Sequence, residues 1–584
     1  MIYKVLGFLL PSLLCVASMD YHVHFIGIND SEALKTIKKS SSLITLKEKK
    51  PVSVNALRYR AESDIPDILK VLHIYGYYDA TASIEVVKES EEADVFVMIH
   101  PGPVYTIQAF EITSSLDEPK DAPLLLQTRY LKQFLNAPAN TFQIIEAEQK
   151  FLTHLSQHGY PLASLIERKV TADYLLKTVS IHLSVDPGYA CYFGPVKITG
   201  AYGVKKRLFE NKIAWDRGEI YDTRLVEETQ KNLLDTGLFS SVIITHEPIV
   251  SEKGELPLRI EAIETKHKSI NVGVSYQTFF GPGLTFGWEN RNIGDLGRTL
   301  SLKGDVTSRT HTGTATFFIP DFWKVDQDCV IEAQAQQESI IAYHQHSYHL
   351  TERVERRIGT SYQVSAGLKL ERLLVSNSVA NGTFTLAEAP LYFRKSSANH
   401  LLDPTQGHTL ELKVIPSANF SSLSRYYLYN SLTYASYTPL TQNNSVVLAQ
   451  QLMCMTILSP NLSSVPVPKR VFGGSDDDLR GYRFKTVSPL QGLQPIGGRF
   501  GLFYTFESRF RLTSSIGLVP FFDIGTVELS SIPKWNQKWY QSAGIGIRYF
   551  TFLGPIRCDM AFPLNPRPEI DAKYRLLVSI GQTF

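Results

Sequence analysis

Val471-Phe-Gly-Gly-Ser-Asp-Asp-Asp-Leu-Arg-Gly-Tyr-Arg-Phe484 opens the stretch that decides the fold, and Tyr574-Arg-Leu-Leu-Val-Ser-Ile-Gly-Gln-Thr-Phe584 closes it. The closing segment alternates. Tyr574, Leu576, Val578, Ile580 and Phe584 share one face, broken by Gln582, while Arg575, Leu577, Ser579, Gly581 and Thr583 occupy the other. Period-two alternation of apolar with small or polar residues suits a strand with lipid on one side and a wet lumen on the other. The same texture begins just after Lys266, where Ile270, Val272, Val274 and Tyr276 oppose Asn271, Gly273, Ser275 and Gln277. It returns at 409–414, with Leu410, Leu412 and Val414 against Thr409, Glu411 and Lys413. These patterns predict an all-β transmembrane barrel over 266–584, its first strand near 266–276 and its last at 574–584.

Four further patches lie in the same region. They are Gly497-Gly-Arg with Glu507-Ser-Arg509; Phe521-Phe-Asp-Ile-Gly-Thr526; Gly544-Ile-Gly-Ile-Arg-Tyr-Phe-Thr-Phe-Leu-Gly-Pro-Ile-Arg-Cys-Asp559, continuing to Pro563-Leu564; and Ser579-Ile-Gly-Gln-Thr-Phe584. A lone Arg-Gly-Tyr carries little information, but five patches in one order are specific. The region resembles the C-terminal barrel (bacterial surface antigen barrel) of the BamA/TamA superfamily of outer-membrane protein assembly factors, whose inward-folded loop carries an Arg-Gly-Tyr/Phe motif. The resemblance implies 16 antiparallel strands. Alternation alone allows 14 or 18, and 16 leaves roughly 20 residues per strand with its loop, roomy for spans of about 9–11 residues.

Residues 20–265 hold three copies of a weaker pattern: a short strand, a helical stretch ending at a glycine–aromatic corner, then two strands. The corners are Tyr75-Gly-Tyr-Tyr78, His158-Gly-Tyr160 and Thr236-Gly-Leu-Phe239, so the period is near 80. Glycine after an apolar helical run stops the helix, because it takes the left-handed conformation without penalty. Ile144, Phe151, Leu152 and Leu155 line the helix before Gly159; Leu225, Val226, Leu233 and Leu234 line the one before Gly237. Gly102-Pro-Val-Tyr-Thr-Ile107 and Gly194-Pro-Val-Lys-Ile198 open the second and third copies, and strands at 178–185 and 256–263 close them. The polar stretch 47–54 interrupts the first. These β-α-α-β-β units resemble POTRA domains, the periplasmic modules of the same superfamily, and are placed at 20–102, 103–188 and 189–265.

Met1 to Ser18 reads as a signal peptide: Lys4 supplies the positive end, an apolar run follows, and Val16-Ala17-Ser18 offers small residues for cleavage. The run is too short for a membrane helix, and no later window is long and apolar enough, so any membrane span is a barrel. A formal net charge of +2 gives no footing for nucleic acid. The 29 Tyr and 31 Phe against 6 Met favour strands and aromatic girdles over helical bundles. Cys191, Cys329, Cys454 and Cys558 lie far apart and indicate neither a zinc site nor a disulfide framework.

Arg480 is the main candidate. A guanidinium inside a barrel needs a carboxylate, because leaving it unpaired in a confined space is costly. The resemblance pairs the loop arginine with acids on the inner wall, and the matching positions are Glu507 and Asp523, one or both. Gly481 would allow a tight backbone approach and Tyr482 would pack on the wall. Together these residues form the predicted loop latch. Asp476-Asp-Asp478 lacks the spacing of a calcium loop and reads as a solvated turn. His344, His346 and His349 read as a polar strand or loop end, and His22 and His24 likewise. No metal site, cofactor or catalytic motif is identified, which points away from an enzyme.

The barrel's two ends form a second candidate site, a lateral seam of Ile270, Val272, Val274, Tyr276, Ile580, Gly581 and Phe584. Gly581 weakens the last strand where assembly-factor relatives kink theirs. The resemblance, closest to TamA through its three modules, implies a protein of the Gram-negative outer membrane with its repeats in the periplasm. Nascent outer-membrane proteins would be its clients, a TamB-like inner-membrane-anchored protein its partner, and lipid its surroundings. Strands would enter or cross through the seam. The alternative is a two-partner-secretion-type transporter exporting one passenger through the pore.

Overall fold

Helices in the repeats form where apolar residues recur three and four apart behind a capping side chain. In the computed structural model, which describes residues 19–89, 92–114, 131–247, 250–421, 426–534, 537–552 and 554–584, the first such helix is Ser31–Ser40, and the Asp30 carboxylate accepts from the Glu32 and Ala33 amides. The signal segment predicted over 1–18 lies outside the described residues. Helix Val54–Ile74 buries Leu57, Ala61, Ile68, Val71 and Leu72 against Ala93, Val95, Val97 and Ile99 of strand Glu92–His100. That strand is central, parallel to Asp20–Ile26 and antiparallel to Thr81–Glu89. Just before the polar stretch 47–54 of this repeat lies an extra helical turn, Ser42–Thr45, held by a buried acid. Asp64 accepts from the Ser42 and Leu43 amides at 3.0 and 3.1 Å and from the Ser41 and Ser42 hydroxyls. Polar residues could intrude here because one carboxylate collects the donors they leave.

The second group comprises Thr106–Ser114, helix Thr141–Ser156, Ser164–Asp173 and Thr178–Asp186; the third comprises Tyr192–Thr199, helices Lys206–Lys212 and Thr223–Asp235, Phe239–His246 and Glu255–Glu264. Each makes a three-stranded sheet with its last strand in the middle. Gly76, Gly159 and Gly237 stand at φ +91, +96 and +67°, the left-handed corners that end the three helices. The chain divides into two compact units. One comprises Met1–Lys197, Ile213–Gln230 and Ile243–Ile260, the other Ile198–Lys212, Lys231–Val242 and Glu261–Phe584.

Within the first unit, Asp79 joins two repeats: it accepts from Lys177 Nζ at 2.5 Å and from the Tyr105 hydroxyl at 2.8 Å. The hydrogen bond from Lys177, then that from Tyr105, holds the Asp79 carboxyl below the usual carboxylate range. A depressed acid contributes stability above its unfolded pKa and loses it as pH falls through the folded one. Hydrogen exchange at the Tyr105 amide, which donates to Gly76 O at 3.0 Å, should therefore be insensitive to Asp79→Asn at low pH. At neutral pH that substitution should accelerate exchange by less than about fivefold, because the pair is solvated.

From Lys268 onward, apart from a short separate pair, Leu490–Gln491 with Gln494–Pro495, the strands form one antiparallel sheet. Among the described residues it has 17 strand segments in sequence order, from Lys268–Gln277 to Arg575–Ile580. Gly382–Glu388 and Leu391–Ser396 both pair with Tyr362–Ser376 on one side and with Gly407–Asn419 on the other. They are one strand broken at Ala389-Pro390, where Pro390 has no N–H for the ladder, so the sheet occupies 16 strand positions. Apolar side chains alternate outward, as on the first strand, where Val272 is 76% and Val274 84% exposed. The last strand is shorter than expected. It ends at Ile580 rather than Phe584, because Gly581 at φ +92° turns the chain out of the sheet.

Candidate functional site

Residues 459–499 connect strands Val446–Leu458 and Phe500–Arg511 and fold back inside the sheet rather than away from it. Two single turns, Leu462–Ser464 and Val467–Lys469, begin the descent. The three aspartates are not one solvated turn: Asp477 is exposed and Asp476 half-buried, but Asp478 is not solvated. Asp478 is 6% exposed, accepts from the Gly474 and Ser475 amides at 2.8 Å each and also from the Leu479 amide. It closes the tight turn that presents Arg480. The donors are all local backbone, so composition gave no hint of this role.

Arg480 is 0% exposed, as are Glu507, Asp523 and Asp559. Its Nε and Nη2 donate to the two Asp523 oxygens at 3.1 and 2.7 Å, a bidentate pair, and its backbone N–H adds a third bond at 3.2 Å. Nη1 reaches Glu507 Oε1 at 2.7 Å, Asp559 Oδ2 at 3.2 Å and the Thr583 hydroxyl at 3.3 Å. The guanidinium lies 3.4 Å from the centre of the Phe521 ring, a cation–π contact in a desolvated place. Arg480 thus meets both acids proposed from the sequence and a third, Asp559. That residue stood in the quoted patch, on the same strand face as Arg557, but alternation alone could not say which inward acid the loop would reach. Arg509 and Arg548 share the same acids, through Glu507 Oε2 at 2.9 Å and through Asp559.

Gly481 rests on the wall itself. A Cβ there would stand 2.8 Å from the Pro563 nitrogen and 2.8 Å from Ser542 Cβ, too close for any side chain. Tyr482 is buried, its ring edge-on to Tyr540 at 5.5 Å and its hydroxyl donating to Gln541 O at 3.0 Å. Arg575, on the last strand, donates to Arg480 O at 3.1 Å and to Tyr482 O, so the motif is bonded to the strand that borders the seam.

A second anchor went unread in the sequence. Lys469 Nζ sits 2.5 Å from Glu371 Oε2 and 3.5 Å from Glu388 Oε1, with Lys369 on the same two acids. Both acids are nearly buried. A lysine eleven residues before Arg480 carries no signal until the loop is seen to fold inward. Lys469→Ala should cost about 1.5–3 kcal/mol, the range for a hydrogen bond to a charged group. It should also speed tryptic cleavage after Arg483 and Lys485, with the barrel still migrating as a folded band on an unheated gel.

At the seam, the strand carrying Ile270, Val272, Val274 and Tyr276 pairs on one edge with Gly281–Ile293. No backbone ladder joins its other edge to Arg575–Ile580; the two ends meet where the Val578 N–H donates to the Thr278 hydroxyl at 3.2 Å. Ile580 faces outward like its first-strand counterparts. Phe584 does not. Beyond Gly581 the chain enters the lumen, and the Phe584 ring stacks on Tyr437 with centroids 6.2 Å apart, which removes it from the lipid face of the seam. The histidine stretch forms the start of strand His344–Ile358, where His349 faces Glu332 at 3.4 Å. His22 and His24 pair with Glu92 and Asp94 on the first repeat's surface.

A model of the Omp85 superfamily domain matches residues 292–584, and one of the POTRA surface antigen variable number repeat matches 191–265. Outer membrane protein assembly factor BamA of Nitratidesulfovibrio vulgaris is 21% identical over 529 residues, covering 87% of this chain and 66% of that protein. BamA of Buchnera aphidicola is 23% identical over 237 residues, 40% of this chain and 37% of that protein. The chain therefore spans less than two thirds of the length of these relatives. The crystal structure of Haemophilus ducreyi BamA lacking POTRA domains 1–3 is similar in fold, with a TM-score of 0.68 at 16% identity, covering 81% of this chain and 99% of that one.

Proposed function

Because the chain belongs to the Omp85 superfamily of outer-membrane proteins with periplasmic POTRA domains, we propose that it assembles other outer-membrane proteins, as a TamA-like factor working through its lateral seam. The observation that carries this reading is the free edge of strand Lys268–Gln277, which lies beside a last strand of six residues with no ladder between them. An incoming strand adds to such an edge by backbone hydrogen bonds, and its outward side chains meet lipid. The addition needs no nucleophile, metal or nucleotide.

Glu507, Asp523 and Asp559 hold the loop within the lumen by their bonds to Arg480, while Gly481 and Tyr482 pack on the wall at Ser542, Pro563 and Tyr540, and Arg575 carries that restraint to the seam strand. The loop is the latch, and β-barrel or autotransporter-type proteins are the clients. Export of a passenger through the pore, as in two-partner secretion, would require the loop to leave the lumen and break its buried ion pairs. A TamB-like inner-membrane-anchored protein is the partner suggested by the TamA resemblance; co-purification from cross-linked cells tests it.

The direct test places purified protein in liposomes and follows the folding of an added outer-membrane barrel. Accelerated folding supports assembly. No acceleration together with steady ion conductance moves the reading to a transporter.

A further inference from the structure

The turn at residues 397–406 joins strand positions eight and nine, half the barrel away from the seam, yet it contacts the residues that follow the last strand. It is braced internally. Asn399 Oδ1 accepts from the Thr405 and Gln406 amides at 3.0 and 3.2 Å, and His400 Nδ1 lies 3.3 and 3.2 Å from the Leu402 and Asp403 amides. Its tip reaches the residues beyond Gly581. Leu402 O accepts from the Gln582 amide at 3.1 Å, and Asp403 Oδ1 accepts from Gln582 Nε2 at 3.0 Å. Asp403 Oδ2 accepts from Arg511 at 2.8 Å and Pro404 O from Arg509 at 3.3 Å, both on strand Phe500–Arg511.

On the lumen side the same residues meet the ion cluster. Thr583 donates to Glu507 Oε1 at 2.7 Å and accepts from Arg557 at 2.7 Å. Gln582 Oε1 accepts from Arg548 at 2.8 Å and Phe584 O from Arg509 at 3.1 Å. Residues 581–584 are thus clamped between the turn and the cluster.

We propose that the periplasmic turn 397–406 is a strap that keeps residues 581–584 inside the lumen, with Asp403 as the positioning residue, and so keeps the edge of the first strand free. Continued antiparallel from the Val578–Thr278 contact, an extended chain would bring Gln582 to Val274 and Phe584 to Val272, occupying the edge an incoming strand would use. The strap's value to the cell rests on the seam reading above; its effect on residues 581–584 does not.

The test is disulfide formation between Val272→Cys and Phe584→Cys in the full-length protein in lipid bilayers, with the five native cysteines, Cys15, Cys191, Cys329, Cys454 and Cys558, replaced by alanine. Three backgrounds are compared: the intact turn, Asp403→Ala, and a turn shortened to Asn-Gly between Ser397 and Gln406. With the intact turn the bond should form rarely. Asp403→Ala, which removes hydrogen bonds to Gln582 and Arg511, should raise its rate about three- to tenfold, and the shortened turn by more. Equal rates with the intact turn and with Asp403→Ala would overturn the strap, and if the shortened turn does not fold, Asp403→Ala decides alone. The readout requires no client, so a chain that proves not to assemble proteins can still possess the strap.

Discussion

Arg480→Ala should lower barrel stability by about 3–5 kcal/mol, because it leaves charges buried without their partner. Glu507, Asp523 and Asp559 are all fully buried around this guanidinium. Arg509 and Arg548 remain to neutralise Glu507 and Asp559 in part, whereas Asp523 loses its bidentate partner and keeps the Ser542 hydroxyl at 2.9 Å. Urea unfolding in detergent micelles measures the loss. Arg480→Lys retains the charge but not the fork that bridges three acids, so it should recover part of the stability. Asp523→Asn should behave differently, since it keeps an acceptor and removes one buried negative charge. In the liposome assay Arg480→Ala should slow client folding at least tenfold. An unchanged rate with the expected loss of stability would make the cluster structural and remove the latch from the mechanism.

A disulfide between Tyr276→Cys and Ile580→Cys should abolish assembly, and reduction should restore it. Both side chains face outward, and the antiparallel register from the Val578–Thr278 contact places them across the gap. The bond fixes the two ends of the sheet and blocks entry of a strand between them, while leaving the lumen unaltered. Full activity in the oxidised protein would exclude the seam as the route. If conductance persisted while assembly stopped, passage through the lumen would be separated from insertion through the wall.

Much of this was legible in the sequence because the signals are local. Period two on 574–580 and on 270–276 marks strands with one lipid face, and glycine–aromatic corners mark helix ends, since both follow from the geometry of a few adjacent residues. The last strand shows the limit. Alternation interrupted by Gln582 alone places Phe584 on the lipid face, but Gly581 and the bonds waiting at Leu402, Glu507 and Arg509 draw the chain inward. The third acid, the Lys469 anchor and the turn 397–406 share that character: each joins residues dozens to hundreds of positions apart. Sequence by itself determined the strands and the repeats, because backbone periodicity acts wherever the chain goes, whereas the inward course of the Arg480 loop was implied by the family resemblance and not by periodicity or charge. Tertiary structure alone decided which buried groups meet, since closing the sheet brings distant strands to one lumen and low-polarity surroundings make each pairing there count.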